Sequence, residues 1–190
     1  DDNNVHALNT LGLCFLKLGR YDEANKILLK AISLDNQNIV ILNSLGRLNH
    51  ELRKSKEAKS FFDKAFALNP NSFETLNNMA GFYLEEEKYQ KAINFYKKAE
   101  KLKLNNPILI NNIAKTFMCL HNVGEAEKYC RRAILIDQKN DELKKTLALI
   151  LLKKYDFKNA WLSFDGRLNW LDFANKNSTL KLVKNKIPNK

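Results

Sequence analysis

Asparagine recurs in this chain at a fixed interval, and its side-chain amide is the group whose spacing first suggests chemistry. The four members of the series are Asn9, Asn43, Asn77 and Asn111, separated by steps of 34 residues. An amide offers both a donor and an acceptor, so a column of amides can bind the backbone of an extended peptide without reading its side chains. The pattern predicts a binding surface, provided that the fold aligns these residues.

Other reactive groups are scattered along the chain. The three cysteines and three histidines form no CxxC pair, no His pair at ligand spacing and no mixed cluster, so we predict no metal site. The GxGxxG, GxxxxGK[ST], HExxH and GxSxG motifs are missing as well. We therefore expect a non-catalytic chain without a cofactor.

Composition narrows the fold class and the compartment. With 45% hydrophobic residues in 190 the chain is globular, and only six Gly and three Pro favour helices joined by short links. The odd cysteine count favours a reducing, cytoplasmic location, and no apolar run approaches the roughly 18 residues of a membrane span. The chain starts at Asp1 without a Met, so we expect a piece of a larger protein.

The asparagine interval is also the period of a longer repeat. The stretch YDEANKILLKAISL from Tyr21 returns in altered form at Ser55, Tyr89, Val123 and Phe157. Within it, one alanine ladder is Ala24, Ala58, Ala92, Ala126 and Ala160, and a second is Ala31, Ala65, Ala99 and Ala133. An alanine once per period marks a point where two helices approach too closely for a longer side chain.

Each period reads as a helical hairpin. In the first, Leu8, Leu11 and Phe15 recur at helical spacing, Gly19 supplies the turn, and a second helix follows from Tyr21. We predict five such units, at 5–38, 39–72, 73–106, 107–140 and 141–170, followed by a basic extension at 171–190.

The residues of this hairpin carry a family resemblance. Leu8, Leu11, Gly12, Phe15, Tyr21, Ala24 and Ala31 resemble the tetratricopeptide repeat signature, and the resemblance covers about residues 5 to 170. It implies an all-α solenoid of five helix-turn-helix repeats, wound as a right-handed superhelix with a C-terminal capping element. Asn36, Leu104 and Gln138 depart from the family by replacing its usual closing proline.

In such a superhelix the first helix of each repeat lines the concave face. The polar residues that we expect there form a peptide-binding groove of Asn9, Asn43, Arg47, Asn77, Asn78, Asn111, Asn112, Lys115 and Lys145. Asn78 and Asn112 occupy a slot that resembles the backbone-contacting asparagines of O-linked N-acetylglucosamine transferases. The alternative is chance, since 25 of the 190 residues are asparagine.

The end of the repeat region is rich in aromatic residues, namely Trp161, Phe164, Trp170 and Phe173. One interpretation is an element that caps the last open face of the solenoid. Another follows from the run YDFKNAWLSFDGRLNW, which resembles the junction between repeats and sugar-transfer domain in bacterial tetratricopeptide glycosyltransferases.

Three function classes remain open from the sequence. The leading hypothesis is a scaffold that binds a protein or peptide ligand in its concave groove, as the substrate-recognition module of a larger glycosyltransferase. The alternative is structural: copies join through an apolar end face into a homo-oligomer. Nucleic-acid binding is less favoured, because the formal charge of +11 is not interleaved with aromatics on one face, and we expect no membrane partner.

Overall fold

A computed structural model describes residues 4–163, which form ten α-helices and, over that range, no strand. The helices are α1 Val5–Lys17, α2 Tyr21–Leu34, α3 Ile39–Glu51, α4 Ser55–Leu68, α5 Phe73–Glu85, α6 Tyr89–Leu102, α7 Pro107–Cys119, α8 Val123–Ile136, α9 Asp141–Lys153 and α10 Phe157–Ser163. None of the described helices combines the length and the apolar character that crossing a membrane requires. The predicted all-α solenoid of helical hairpins is confirmed.

Caps at the start of each first helix repeat with the same period. Asn4, Asn38, Ser72, Asn106 and Asn140 each accept a hydrogen bond at the side-chain oxygen from a backbone N–H two or three residues later. Such a cap satisfies one of the N–H groups that a helix start leaves without a partner. Pro107 adds a second start signal, because proline fits the first helical position.

The turn inside each hairpin is left-handed in all five units. Gly19 has φ +73°, as expected for glycine, and Arg53, Glu87, His121 and Tyr155 take φ values of 57° to 62° at the equivalent positions. A side chain in this conformation costs roughly 1–2 kcal/mol. Glycine therefore predicts the turn only in the first unit, while in the others packing of the two helices imposes it.

Small residues set the closest approach within a hairpin. All members of both alanine ladders are at most 2% exposed, which confirms their predicted role. An added Cβ on Gly12 would lie 2.7 Å from Leu28, and one on Gly46 would lie 2.5 Å from Phe62. The two helices therefore pack with glycine against a large side chain in the first two units.

The array curves toward its first helices. α1 packs on α3, α3 on α5, and α7 on α9, whereas neither α5 and α7 nor successive second helices make comparable contacts among the described residues. Since one side of the array is drawn together and the other is not, the first helices line the concave face. Leu34, the last residue of α2, is nearly half exposed, because full burial in that helix ends at Ala31.

Candidate ligand-binding groove

Three of the periodic asparagines lie between helices and not in an open row. Asn9, Asn43 and Asn111 are only 8%, 5% and 4% exposed. Ser44 Oγ donates to Asn9 Oδ1 at 2.7 Å, which ties α3 to α1, and Asn43 Nδ2 donates to Thr75 Oγ1 at 2.9 Å, which ties α3 to α5. Burial leaves these three amides little surface for a ligand, and Asn9 and Asn43 already bond to neighbouring repeats; their role in peptide binding stays a prediction.

The sequence period does not extend to the contacts of this column. Thr75 is the partner of Asn43, but the equivalent residues one and two repeats later are leucines, Leu109 and Leu143, which cannot hydrogen-bond. Over the described residues, Asn43 Oδ1 and Asn111 Oδ1 have no hydrogen-bond partner. The column is thus regular in position and irregular in the hydrogen bonds that it makes.

Four of the predicted site residues do come together. Arg47, Asn77, Asn78 and Asn112 line one cavity of about 200 Å³ between α3, α5 and α7 on the concave face. We call it the Gly81 pocket, after the glycine in its wall; its remaining lining is His50, Glu51, Phe62, Phe82, Glu85 and Tyr96. Asn77, Asn78 and Asn112 are half-buried.

The two predicted lysines lie further along the concave face and outside the pocket. Lys115 Nζ pairs with Glu142 Oε1 at 3.0 Å, which joins α7 to α9 and offsets the lysine charge. Lys145 is half-buried on α9. The structure does not test whether any of these residues binds a ligand, and that role stays a prediction.

Charges of both signs surround the Gly81 pocket. His50 Nε2 lies 3.4 Å from Glu85 Oε2, and the His50 ring meets Phe82 edge-on with a centroid distance of 5.3 Å. Arg47 and Glu51 form no ion pair with any residue that the structure describes. One cation and one carboxylate are therefore available to a ligand, and the wall as a whole is close to neutral.

The inner end of the pocket holds a buried phenol. Tyr96 is 2% exposed, and burial raises the pKa of its hydroxyl to about 12, so the group stays protonated at neutral pH. Its oxygen lies 3.9 Å from the place that a Cβ on Gly81 would occupy. Sequence reasoning missed Tyr96, because it falls on the buried face of α6. The available signal was Gly81, since the equivalent position of the first helix is Arg47 in the preceding repeat and Lys115 in the following one.

Metal and thiol chemistry find no support in the described part of the chain. No group of three or more His, Cys, Asp or Glu side chains there could hold a metal ion. Cys14 and Cys119 are exposed, whereas Cys130 is buried in the core, and burial raises the pKa of its thiol to about 12.

Comparison with protein families matches the repeats found in the sequence. Models described as tetratricopeptide repeat match residues 5–38 and 39–72, in register with the first two hairpins, and a third model matches 61–94. The described hairpins after residue 94 continue the same geometry. Residues 5–94 of this chain match the tetratricopeptide repeat family.

Solved structures with the same fold come from several bacteria. A structure of Pseudomonas aeruginosa PilF is 21% identical with a TM-score of 0.77, covering 84% of this chain and 72% of that one. The tetratricopeptide protein TTC0263 of Thermus thermophilus is 20% identical with a TM-score of 0.73, covering 94% and 96%. MamA from Desulfovibrio magneticus is 16% identical with a TM-score of 0.71, covering 84% and 90%. No curated protein sequence matches.

Several predictions for the end of the repeat region lie beyond the described residues. Phe164, Trp170 and Phe173 of the proposed cap, the glycosyltransferase-like junction from Phe164 onward and the basic extension at 171–190 all fall there. They stay predictions of the sequence.

Proposed function

We propose that this tetratricopeptide repeat chain is a protein-interaction scaffold that holds an extended peptide or partner segment on its concave face. The observation that carries the proposal is the Gly81 pocket, in which Asn77, Asn78 and Asn112 gather from two successive first helices beside Arg47. Amides that keep a free donor or acceptor toward solvent can satisfy the backbone of an extended chain, as occurs in other forms of peptide recognition.

A double substitution tests this binding mode. Fluorescein-labelled random nonapeptides serve as the probe, and fluorescence anisotropy gives the dissociation constant. Replacing both Asn78 and Asn112 with Ala should raise it about tenfold, because each lost hydrogen bond contributes about 0.5–1.5 kcal/mol. Asn94→Ala, on exposed α6 surface, is the matched control. If the double variant binds as tightly as the native chain while the helicity is unchanged, the amides are not the binding groups.

We further propose that the scaffold presents peptides to a sugar-transfer domain in the full-length protein. The support is the resemblance of residues 155–170 to a repeat–transferase junction and of Asn78 and Asn112 to substrate-contacting asparagines. The expected result is that full-length protein transfers a sugar to peptide, and that the Asn78, Asn112 double variant lowers kcat/KM. If the full-length protein transfers no sugar, the sugar-transfer role is wrong, whereas the proposal of peptide binding is unaffected.

Self-association is the second candidate, and the outer face of α1 favours it. Leu11 is 43% exposed, whereas the equivalent Leu45, Met79, Ile113 and Leu147 are all buried by the preceding repeat. Leu18, the residue that follows α1, is 70% exposed. The face is built like an internal interface, and a second copy that stacks on it would bury this apolar surface.

Sedimentation velocity over a wide concentration range separates the candidates. If copies stack through α1, Leu11→Ser should weaken association about tenfold, because it removes the buried apolar area of a leucine. Leu29→Ser is the control, since Leu29 is comparably exposed on α2, away from this face. A native chain that stays monomeric at every concentration contradicts self-association.

A further inference from the structure

The Gly81 pocket contains a glycine that packing does not require. Gly12 and Gly46 permit close contact with Leu28 and Phe62, but an added Cβ on Gly81 would meet only the Tyr96 hydroxyl, at an ordinary 3.9 Å. Glycine inside a helix is less favourable than alanine. Among the described residues, the effect of this glycine is to leave the way open from the concave face to Tyr96.

Tyr96, which lies beneath that opening, also differs from the equivalent residues of the other described repeats. Leu28, Phe62 and Cys130 occupy the position of Tyr96 in the other described repeats, and each is buried. The hydroxyl of Tyr96 makes no hydrogen bond with any group in residues 4–163, and it is not among the fully buried polar atoms that lack a partner, so it opens into the cavity. Because the ring is buried and the hydroxyl opens into the cavity, Tyr96 presents one hydrogen-bonding group to a ligand that enters.

The size and polarity of the pocket describe that group. A volume of about 200 Å³ far exceeds the roughly 15 Å³ that a single water needs. The amides of Asn78 and Asn112 and the hydroxyl of Tyr96 can each donate or accept. A ligand group with both a donor and an acceptor therefore matches the lining better than one with only donors or only acceptors.

The charges select against an ionic occupant. Arg47 would attract a carboxylate, but Glu51 and Glu85 line the same cavity, and His50 already lies against Glu85. An ammonium group would meet Arg47. Because desolvating a charge is costly unless it is fully paired, a neutral hydrogen-bonding group enters this wall of mixed charge more favourably.

We propose that the Gly81 pocket accepts the carboxamide of an asparagine or glutamine side chain from the bound peptide. The carboxamide oxygen accepts from the Tyr96 hydroxyl or the Arg47 guanidinium, and its NH₂ donates to an asparagine oxygen of the wall. This inference rests on the proposed function, since it supplies side-chain specificity at one point of the peptide groove.

Degenerate peptide pools test the specificity. Five pools of labelled nonapeptides carry Gln, Asn, Glu, Lys or Leu at the central position, with the other positions random. The native chain should bind the Gln or Asn pool about fivefold more tightly than the Glu, Lys and Leu pools, as one added hydrogen-bonded contact implies. Gly81→Leu fills the opening and should bring the pools within about twofold of one another while the Leu pool keeps its affinity.

Two further variants separate a ligand role from a structural one. Tyr96→Phe removes the hydroxyl and keeps the buried ring, so it should lower the preference for Gln and Asn without changing the unfolding midpoint at neutral pH. Gln90→Leu, on the exposed side of α6, should change neither. A preference that survives both Gly81→Leu and Tyr96→Phe would overturn the proposal.

The outcomes distinguish the pocket from the groove. If all pools bind alike, the carboxamide pocket is wrong and the peptide groove stands; if the Glu pool binds most tightly, the site takes an anion and the proposal is also wrong. If no pool binds, the groove fails, and a titration with N-acetylglutamine methylamide followed by NMR decides the pocket. Shifts confined to Gly81, Asn78 and Asn112 would support it, and unchanged spectra would overturn it.

Discussion

Single residues in this chain have roles that depend on what lies opposite them. Gly46 faces Phe62, which is almost wholly buried, whereas Gly81 faces open space above a hydroxyl. The same residue type therefore serves close packing at one position and access at the other. Asparagine divides in the same way, since Asn43 bonds to the next repeat while Asn78 lines a cavity.

Alanine at the two glycines should have opposite effects on stability. Gly46→Ala pushes a methyl group into Phe62 and should lower the free energy of unfolding by about 1–3 kcal/mol. Gly81→Ala meets no obstacle and should raise it by about 0.5–1 kcal/mol, since alanine is the better helix former. Urea unfolding measures both; equal effects of the two substitutions would contradict the packing account.

The buried phenol predicts a pH dependence at high pH. The pKa of Tyr96 is raised to about 12 in the folded chain, so the unfolded chain loses this proton first, near the ordinary value of about 10. The contribution of Tyr96 to the free energy of unfolding is therefore fully present below pH 10 and falls as the pH rises toward 12. Tyr96→Phe should remove this part of the loss.

Urea unfolding at pH 8 and pH 11 provides the measurement. We expect the Phe variant to match the native chain at pH 8 and to be more stable at pH 11, by roughly 1 kcal/mol for each pH unit above 10. Titration of the lysines is common to both proteins and cancels in the difference. An identical decline in the two proteins would show that the hydroxyl is not shielded from water.

At the scale of elements, repeated caps and small residues shape every hairpin alike. Side-chain caps start all five first helices, and Arg53, Glu87, His121 and Tyr155 adopt the left-handed turn without glycine. The alanine ladders then fix how closely paired helices approach. Packing between elements thus overrides the local preference of the turn residues.

Enlarging one alanine should separate a helix pair. Ala92 is fully buried in α6, so Ala92→Leu should destabilise the chain by about 1–3 kcal/mol through overpacking. Gln90→Leu adds a leucine to the exposed side of the same helix and should change stability by less than about 0.5 kcal/mol. The denaturation midpoints of the two variants measure this difference. An Ala92→Leu variant as stable as the native chain would mean that the alanine ladder does not set the helix spacing.

At the scale of the whole molecule, each hairpin contacts only its neighbours, so the repeats at the ends have less support. The outer face of α1 has no covering helix among residues 4–163, and Leu11 on it is 43% exposed, whereas its equivalents in later repeats are buried. Stability is therefore expected to be uneven along the array.

Amide hydrogen exchange should reveal that gradient. Backbone amides of α1 and α2 should exchange at least about tenfold faster than those of α5 and α6, because local opening at an end breaks one interface and central opening breaks two. Mass spectrometry of peptic fragments resolves the helices. Uniform protection from α1 to α6 would show that the array opens only as a whole.

The sequence alone determined the repeat. A spacing of 34 residues, the two alanine ladders and the apolar positions predicted paired helices, and α2, α4, α6 and α8 begin and end where the recurring stretch does. This succeeded because helix periodicity and close contact leave a regular mark on the chain.

Only the tertiary structure decided which polar residues are available to a ligand. Asn9, Asn43 and Asn111 share the spacing of Asn77, yet they are buried while Asn77 joins a cavity. Availability depends on the side chain that the neighbouring repeat places opposite, such as Thr75 or Ser44, and on gaps such as the one at Gly81. Those relations join residues about one repeat apart, so a pattern of residue types along the chain does not contain them.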